Sequence, residues 1–468
     1  MSGEESMSSS ETSKKRQWIL PSVLGVATLS VGAWAIPHVQ SAHTLADGAA
    51  SSYVSPQPVQ IPSAVHSSVS SQTATLTQTL DQILDSLPDG NVTGLVVDKD
   101  SGEVLYQRGS EQQRVPASNL KILVDYALLE RVDPTERYET SVRRQNDVLT
   151  LVAGGDTLLG TGLSRPDDVV GHAGLRTLAQ EVVQGLSQGP SHYRVNLDTS
   201  IYRGPSVNPA WAQGDIDAGE VTAVSPIAFY SHYSPDDQGN ASHSRPAEAG
   251  QEVHRYFVSL LNELGAQKNL SFSLGEEEPA TENSERIAQV SSATVAEQAA
   301  YMMQHSDNML AETLGRNLAV SLGREGSFEQ ARASIQETLE QNGIDTAGFH
   351  PVDICGLSGE NKVTNRMIVQ VLEAIADSSA HTTLALDGFP VAGGSGTLAL
   401  RFNSADTRQA QGYARAKTGT LYSVISLSGY GYSASGKILV YSFITNDITR
   451  IDGAKETLDR AVTALVQR

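Results

Sequence analysis

The sequence predicts an α/β protein with a smaller domain inserted into the larger one. Two groups of regular pattern carry that prediction. A strand–turn–strand pattern followed by a helical one occupies residues 75–132, and helical and strand patterns return over residues 291–468. Between them, over residues 133–290, short strand-like pieces alternate with loops rich in Gly, Pro, Asp and Asn. At 468 residues the chain is long enough for two or three domains with their own cores. A net charge of −20 argues against a nucleic-acid surface. A single cysteine, Cys355, excludes an intramolecular disulfide framework. HExxH, paired CxxC and GxxxxGK[ST] are all missing, so no motif suggests a metal, a nucleotide or another cofactor.

Taken in order, the chain opens with Lys14-Lys15-Arg16 ahead of Trp18 to Ile36, nineteen residues without a charge. That is close to the ~20 residues a helix needs to span a bilayer, and the basic flank places the N-terminus inside. Residues 1–36 are therefore expected to be a cytoplasmic tail and membrane anchor, with the rest of the chain outside. Ala33-Trp34-Ala35 would serve as a cleavage site, so removal of residues 1–35 as a signal peptide, giving a secreted protein, is the competing reading. Residues 37–74, rich in Ser, Ala, Pro, Val and Gln, are expected to be a flexible linker.

Leu76, Leu80, Ile83, Leu84 and Leu87 fall on one helical stripe that ends at Pro88-Asp89-Gly90. Val92 to Val97 and Val104 to Tyr106 read as strands around the turn at Asp98–Gly102. Leu120, Ile122, Leu123, Tyr126, Leu128 and Leu129 then follow at helical intervals, with Pro116 as a start signal. In the inserted region, Val148 to Val152 and Tyr193 to Leu197 are strand-like, and Glu276-Glu277-Glu278 reads as solvated surface. Helical texture returns from Val295 to Met303 and from Met309 to Leu322. Gly412 to Leu427 and Ile438 to Ile444 follow as strand patterns, and Ala454, Leu458, Ala461, Val462 and Leu465 form a closing amphipathic helix.

Three polar elements occur in fixed order: Ser118-x-x-Lys121, Ser306-Asp307-Asn308 and Lys417-Thr418-Gly419. The SxxK and the KTG are each unique in the chain. A second SxN, Ser206-Val207-Asn208, lies in a loop without helical flanks. Alone, Ser118 and Lys121 read first as a helix cap followed by a surface lysine, since caps are common. Together the three motifs point to acyl transfer, which needs a nucleophile, a base, an oxyanion site and a proton for the leaving amine. Lys121, its pKa lowered by burial and by a second ammonium at Lys417, could take the Ser118 proton. Ser306 could relay a proton, and Asn308 could hold the substrate backbone. Thr418 and Thr420 on a strand could pair with an extended substrate and bind a terminal carboxylate, with Gly419 allowing close approach.

These motifs resemble those of the serine penicillin-recognising enzymes, and most closely the penicillin-binding protein 4 type of D-alanyl-D-alanine carboxypeptidase and endopeptidase. Further stretches carry the narrower resemblance: Gly154-Gly155-Asp156-Thr157-Leu158, Asp198, Pro209-Ala210-Trp211 and Ser225-Pro226. So do Gly356-Leu357-Ser358 with Asn361 and Thr364, and Phe389 to Gly393 through Gly396-Thr397-Leu398 and Arg401. The resemblance implies a β-lactamase/transpeptidase-like domain, an antiparallel sheet flanked by helices. Ser118 would be acylated, with Lys121 as its base. Ser306 and Asn308 would form the second wall, and Lys417 with Thr418 would bind the substrate carboxylate. Backbone N–H groups of Ser118 and Thr420 would form the oxyanion hole. Peptidoglycan stem peptides would be the substrate and β-lactam antibiotics covalent inhibitors.

The chain departs from the family pattern in two places. Only 188 positions separate Ser118 from Ser306, which implies one inserted domain where the family commonly has two. Asp353-Ile354-Cys355 stands where the family reads DGS, and Cys355 is expected to be a small buried residue beside the site. His305 is expected to be a bystander and Asp307 a helix cap. A non-catalytic sensor ectodomain for β-lactams or wall peptide, and a β-lactamase or esterase on the same fold, are the rival functions.

Overall fold

The computed structural model describes residues 69–186, 189–377 and 381–468. The charge-free run Trp18 to Ile36 lies outside them, and no helix among the described residues is long and apolar enough to cross a membrane. Two five-stranded sheets organise the described chain.

The first sheet is assembled from both ends of the sequence. Strands β1 (Asn91–Asp98) and β2 (Val104–Arg108) form a hairpin, and β8 (Ala414–Leu421), β9 (Val424–Tyr432) and β10 (Ile438–Asn446) come from the C-terminal part. Their order is β2-β1-β10-β9-β8 with every pair antiparallel. Alternate side chains feed two different cores, because successive residues of a strand point to opposite faces. Leu95, Val97, Val440 and Ile444 pack with helix α2 (Lys121–Arg131) and helices α5 (Val295–His305), α6 (Asn308–Ser321), α7 (Phe328–Gln341) and α8 (Asn365–Asp377). Val92, Val96, Tyr441 and Phe443 pack on the other side with α1 (Val69–Leu84) and α9 (Ile451–Val466). The antiparallel sheet flanked by helices is thus present, and both of its faces are dry.

The second sheet runs from β3 (Arg137–Gln145) to β7 (Glu285–Thr294), in the order β6-β5-β4-β3-β7. Its strands β4 (Val148–Val152), β5 (His192–Asp198) and β6 (Ser271–Glu277) are mutually parallel. Parallel neighbours need crossover connections, and helices α3 (Leu175–Gly185) and α4 (Ala249–Gly265) supply them. Their apolar stripes cover this sheet through Leu178, Val182, Val253 and Phe257. β3 and β7 are paired side by side where the chain leaves and rejoins the first region, so β7 continues past residue 290.

Three expectations about elements need correction. The first helix begins at Val69, inside the stretch expected to be linker. The single strand expected over Gly412 to Leu427 is two strands of a hairpin, with Leu421 opposite Val424 and only Tyr422-Ser423 between. The α2 helix starts at Lys121, and Ser118 sits in a 3₁₀ turn over Ala117–Leu120 just before it.

Candidate active site

The 3₁₀ turn decides where the first motif points. Ala117 has φ 49°, in the left-handed region that costs a residue with a Cβ about 1–2 kcal/mol. The turn is held by its neighbours. Ser426 Oγ donates to the Pro116 carbonyl at 2.7 Å, and Asn119 Nδ2 donates to the Lys417 carbonyl at 2.9 Å. Gly356 lies against it so closely that a Cβ there would come within 2.1 Å of the Ala117 oxygen. Lys121 is fully buried, and its Nζ donates to Ser118 Oγ at 3.1 Å.

The second motif occupies the junction of two helices. Ser306 ends α5 in the left-handed conformation, φ 56°, and Asp307 caps α6 by accepting from Leu310 N at 3.0 Å. That geometry presents Ser306 Oγ and Asn308 Oδ1 to different lysines. Lys417 Nζ donates to Ser306 Oγ at 2.8 Å, and Lys121 Nζ donates to Asn308 Oδ1 at 2.8 Å. Asn308 is thereby a ligand of Lys121 in addition to any contact with substrate. His305 stacks on the Tyr301 ring at 4.2 Å, and burial lowers its pKa.

The third motif lies on β8, an edge strand. Ala414 O and Ala416 N face away from β9, since they bond to Ala392 N and Pro390 O. With a period of two, the backbone groups of Thr418 and Thr420 face the same open edge. That orientation gives an extended peptide a strand to pair with and leaves the Thr420 N–H for an oxyanion. Gly419 is required where it stands, because a Cβ would fall 2.2 Å from Ser426 Oγ and 2.9 Å from the Pro116 oxygen. Thr418 Oγ1 donates to Thr397 Oγ1 at 2.8 Å, which ties in the Gly396-Thr397-Leu398 stretch.

The electrostatics refine the expected lysine pair. Burial lowers the Lys121 pKa, opposed first by Cys355 and then by the carboxylates of Asp353, Asp307 and Glu312. Lys417, also fully buried, is pushed well below its ordinary value by burial first and by Lys121 second. The two buried ammonium groups act on each other, as expected of the pair, and each disfavours the charged form of the other.

Sequence reasoning missed three contributors. Lys121 Nζ has a third partner, the Cys355 carbonyl, at 2.5 Å. Behind it lie the buried carboxylates of Glu312 and Asp353, within 4.8 Å of each other and of the Cys355 sulfur. A cation could sit in such a trio, but backbone N–H groups and the Asn361 amide already donate to both carboxylates. The third contributor is the loop around Ser231, from the region of the second sheet. Tyr230, Ser231 and His232 all have φ between 46° and 64°, and Ser231 Oγ donates to Asp307 Oδ1 at 2.7 Å. Nothing in the residue types announced that left-handed run.

The sequence profile of the D-Ala-D-Ala carboxypeptidase 3 (S13) family matches residues 76–254 and 235–467. The chain is 34% identical over 377 residues to carboxypeptidase DacB of Mycolicibacterium smegmatis, covering 77% of each protein. It is 27% identical over 427 residues to the D-alanyl-D-alanine carboxypeptidase of Actinomadura sp. (strain R39), covering 76% of this chain and 78% of that one. Its fold is similar to the crystal structure of penicillin binding protein 4 from Haemophilus influenzae, with TM-score 0.65 and 20% identity over 82% of this chain and 97% of that one. The same H. influenzae protein is also known complexed with a novel β-lactam.

Proposed function

The chain belongs to the D-Ala-D-Ala carboxypeptidase 3 (S13) family and is a serine-type D-alanyl-D-alanine carboxypeptidase, and from that premise we propose how its residues divide the reaction and where it acts. A peptidoglycan stem peptide lies along the open edge of β8, its terminal carboxylate at Lys417 and Thr418 and its backbone held by Asn308. Neutral Lys121 takes the Ser118 proton as Ser118 Oγ attacks the penultimate D-alanine carbonyl. The N–H groups of Ser118 and Thr420 receive the oxyanion. Ser306, bonded to Lys417, delivers a proton to the leaving nitrogen, and free D-alanine departs. Water then releases the acyl group from Ser118. A β-lactam follows the first half of this path and stops as an acyl-enzyme. Endopeptidase action on a cross-linked stem uses the same residues.

The observation that carries this reading is the pairing of two buried lysines with two different serines, Lys121 with Ser118 at 3.1 Å and Lys417 with Ser306 at 2.8 Å. Two buried amines that disfavour each other's charge favour one neutral member, which a base requires. The reaction is placed outside the cell, with residues 1–36 as anchor or signal and residues 37–68 leading to the first helix. Residues 133–290 are proposed to act as an inserted domain that leans on the second motif.

Mass spectrometry of the ectodomain after exposure to benzylpenicillin, beside Ser118→Ala and with D-alanine release from a stem-peptide mimic, tests the assignment. An adduct on Ser118 with D-alanine release is the expected result, and Ser118→Ala loses both. An adduct without release would favour a sensor or an enzyme restricted to cross-links, and rapid turnover of the β-lactam would favour a β-lactamase. Absence of an adduct in the natural protein would sink the role given to Ser118.

A further inference from the structure

We propose that Asp353 is a positioning residue for the reaction, acting on Lys121 through the single peptide group between Cys355 and Gly356. The inference rests on the role given above to Lys121 and adds the group that holds and tunes it.

One peptide unit stands between the two charges. Its carbonyl, on Cys355, accepts from Lys121 Nζ at 2.5 Å, and its N–H, on Gly356, donates to Asp353 Oδ1 at 2.9 Å. A carboxylate pulling on the N–H makes the carbonyl at the other end a stronger acceptor, since hydrogen bonds in a chain polarise one another. The group is aimed from both sides. Glu312 Oε1 takes the N–H groups of Ile354 and Cys355, both at 2.9 Å. Asp353 also takes Ser358 N at 2.7 Å and Asn361 Nδ2 at 2.7 Å. Glu312 stands one turn after Asn308 on α6, so a single helix face supplies both a direct ligand of Lys121 and a clamp on the loop that supplies another. Gly356, at φ +84°, presses on the Ala117 carbonyl, so a shift of this loop would be felt at the nucleophile's own turn.

Every charged or titratable neighbour of Lys121 bears on the outcome. Ser118 faces it from the preceding turn, Lys417 from β8, Asp307 and Glu312 from α6 and its cap, and Asp353 and Cys355 from the loop. Asp353 is the one of these that both carries a negative charge and orders the peptide group touching Nζ. Cys355 touches Lys121 through its carbonyl, and an ionised thiol there would also favour the ammonium, but burial pushes the thiol's pKa well above its ordinary value and so disfavours that form.

Two consequences separate this role from a merely structural one. Asp353→Asn removes the charge and forces its amide nitrogen against one of the donors, so Lys121 is held less well and its ammonium is less favoured. The acylation rate by a chromogenic cephalosporin, followed from about pH 5 to about pH 10, should fall about tenfold at its maximum, and its acid limb should move down by about one pH unit. A drop in rate with the limb unmoved or raised would overturn the proposal, as would an unchanged profile. Cys355→Ala, which keeps the carbonyl, should stay within about threefold of the natural protein with its limb in place. Where Asp353→Asn does not fold, Asp353→Glu is the variant that decides: it keeps the charge but misplaces the acceptor of Gly356 N, so the rate should fall by about threefold or more with the limb within about half a pH unit of its natural place, and an unchanged rate would overturn the proposal. A loss in Cys355→Ala as large as that foreseen for Asp353→Asn would assign the effect to the thiol and reject the peptide route. If the natural protein itself acquires no adduct at Ser118, the failure lies in the reading of Ser118 and Lys121, and this proposal falls with it.

Discussion

The two sheets meet the candidate site in different ways. The first sheet supplies candidate reacting groups directly, since β8 carries Lys417, Thr418 and Thr420 at an open edge and β9 braces the turn of Ser118 through Ser426. The region of the second sheet reaches the site through loops: Ser231 touches Asp307, and the Glu220 carbonyl accepts from Asn308 Nδ2 at 3.4 Å. The difference follows from topology. An antiparallel edge strand offers unpaired backbone groups to a substrate, whereas the parallel strands of the second sheet are closed over by crossover helices and act as a scaffold for a loop.

If that division holds, damage to β8 should exceed damage to the Ser231 loop. Lys417→Met keeps much of the side-chain volume but removes the donor to Ser306 Oγ and, with it, the group proposed to bind the substrate carboxylate. Acylation by benzylpenicillin should fall by about 10²–10³-fold, the range seen when one preorganised charge-stabilising donor is lost. A variant retaining a tenth of the natural rate would remove Lys417 from the chemistry.

Ser231→Ala tests the other side. It deletes one hydrogen bond to Asp307 Oδ1 and leaves the capping bond from Leu310 N in place. One such bond contributes about 1 kcal/mol, so acylation should weaken by no more than about fivefold. A loss approaching that of Lys417→Met would mean that the second region belongs to the chemical machinery, and the contrast between the sheets would break.

The same contrast explains what could be read in advance. Ser118, Lys121, Ser306, Asn308 and Lys417, which the structure brings together, were legible as a set because they are polar side chains at short, fixed spacings. Glu312, Asp353 and Ser231 were not, since they act on backbone N–H groups or on a cap, and such contacts leave no spacing rule. The hairpin of β1 and β2 was legible from its Asp- and Gly-containing turn, whereas the Tyr422-Ser423 turn contains no Gly, Asn or Pro and hid the division of β8 from β9. Helices α3 and α4 did leave a signal: Leu175, Leu178, Ala179, Val182 and Val183 follow the helical period, as do Val253, Phe257 and Leu261. The surrounding Gly, Pro and Asp punctuation drew attention to strands and loops instead. The start of α1 was hidden by Ser, Thr and Gln, which read as linker.

The smallest effect on rate, and a comparison of the two regions by another property, comes from their buried acids. Asp125, one turn after Lys121 on α2, is fully buried with neither carboxyl oxygen hydrogen-bonded, and burial pushes its pKa well above the carboxylate range. Asp156, in the second region, is pushed up to about 7 by burial, with the bond from Leu158 N pulling the other way. Each binds its proton more tightly folded than unfolded, so its contribution to stability is complete below its unfolded pKa of about 4 and declines as pH rises towards its folded value. The Asp156 decline is over by about pH 7, in the window shared with Glu312, which burial also pushes up to about 7. Burial raises Asp125 in the same sense. The lowered lysines act in the opposite sense, so the informative quantity is the difference between variant and natural protein. Asp125→Asn, close in shape to the neutral acid, should leave acylation unchanged and gain in relative Tm as pH rises above about 4. Asp156→Asn should show a relative gain that levels off by about pH 7. A Tm difference for Asp125→Asn that does not change with pH would mean that its carboxyl is already ionised in the folded protein, which its unpartnered position in the core makes costly.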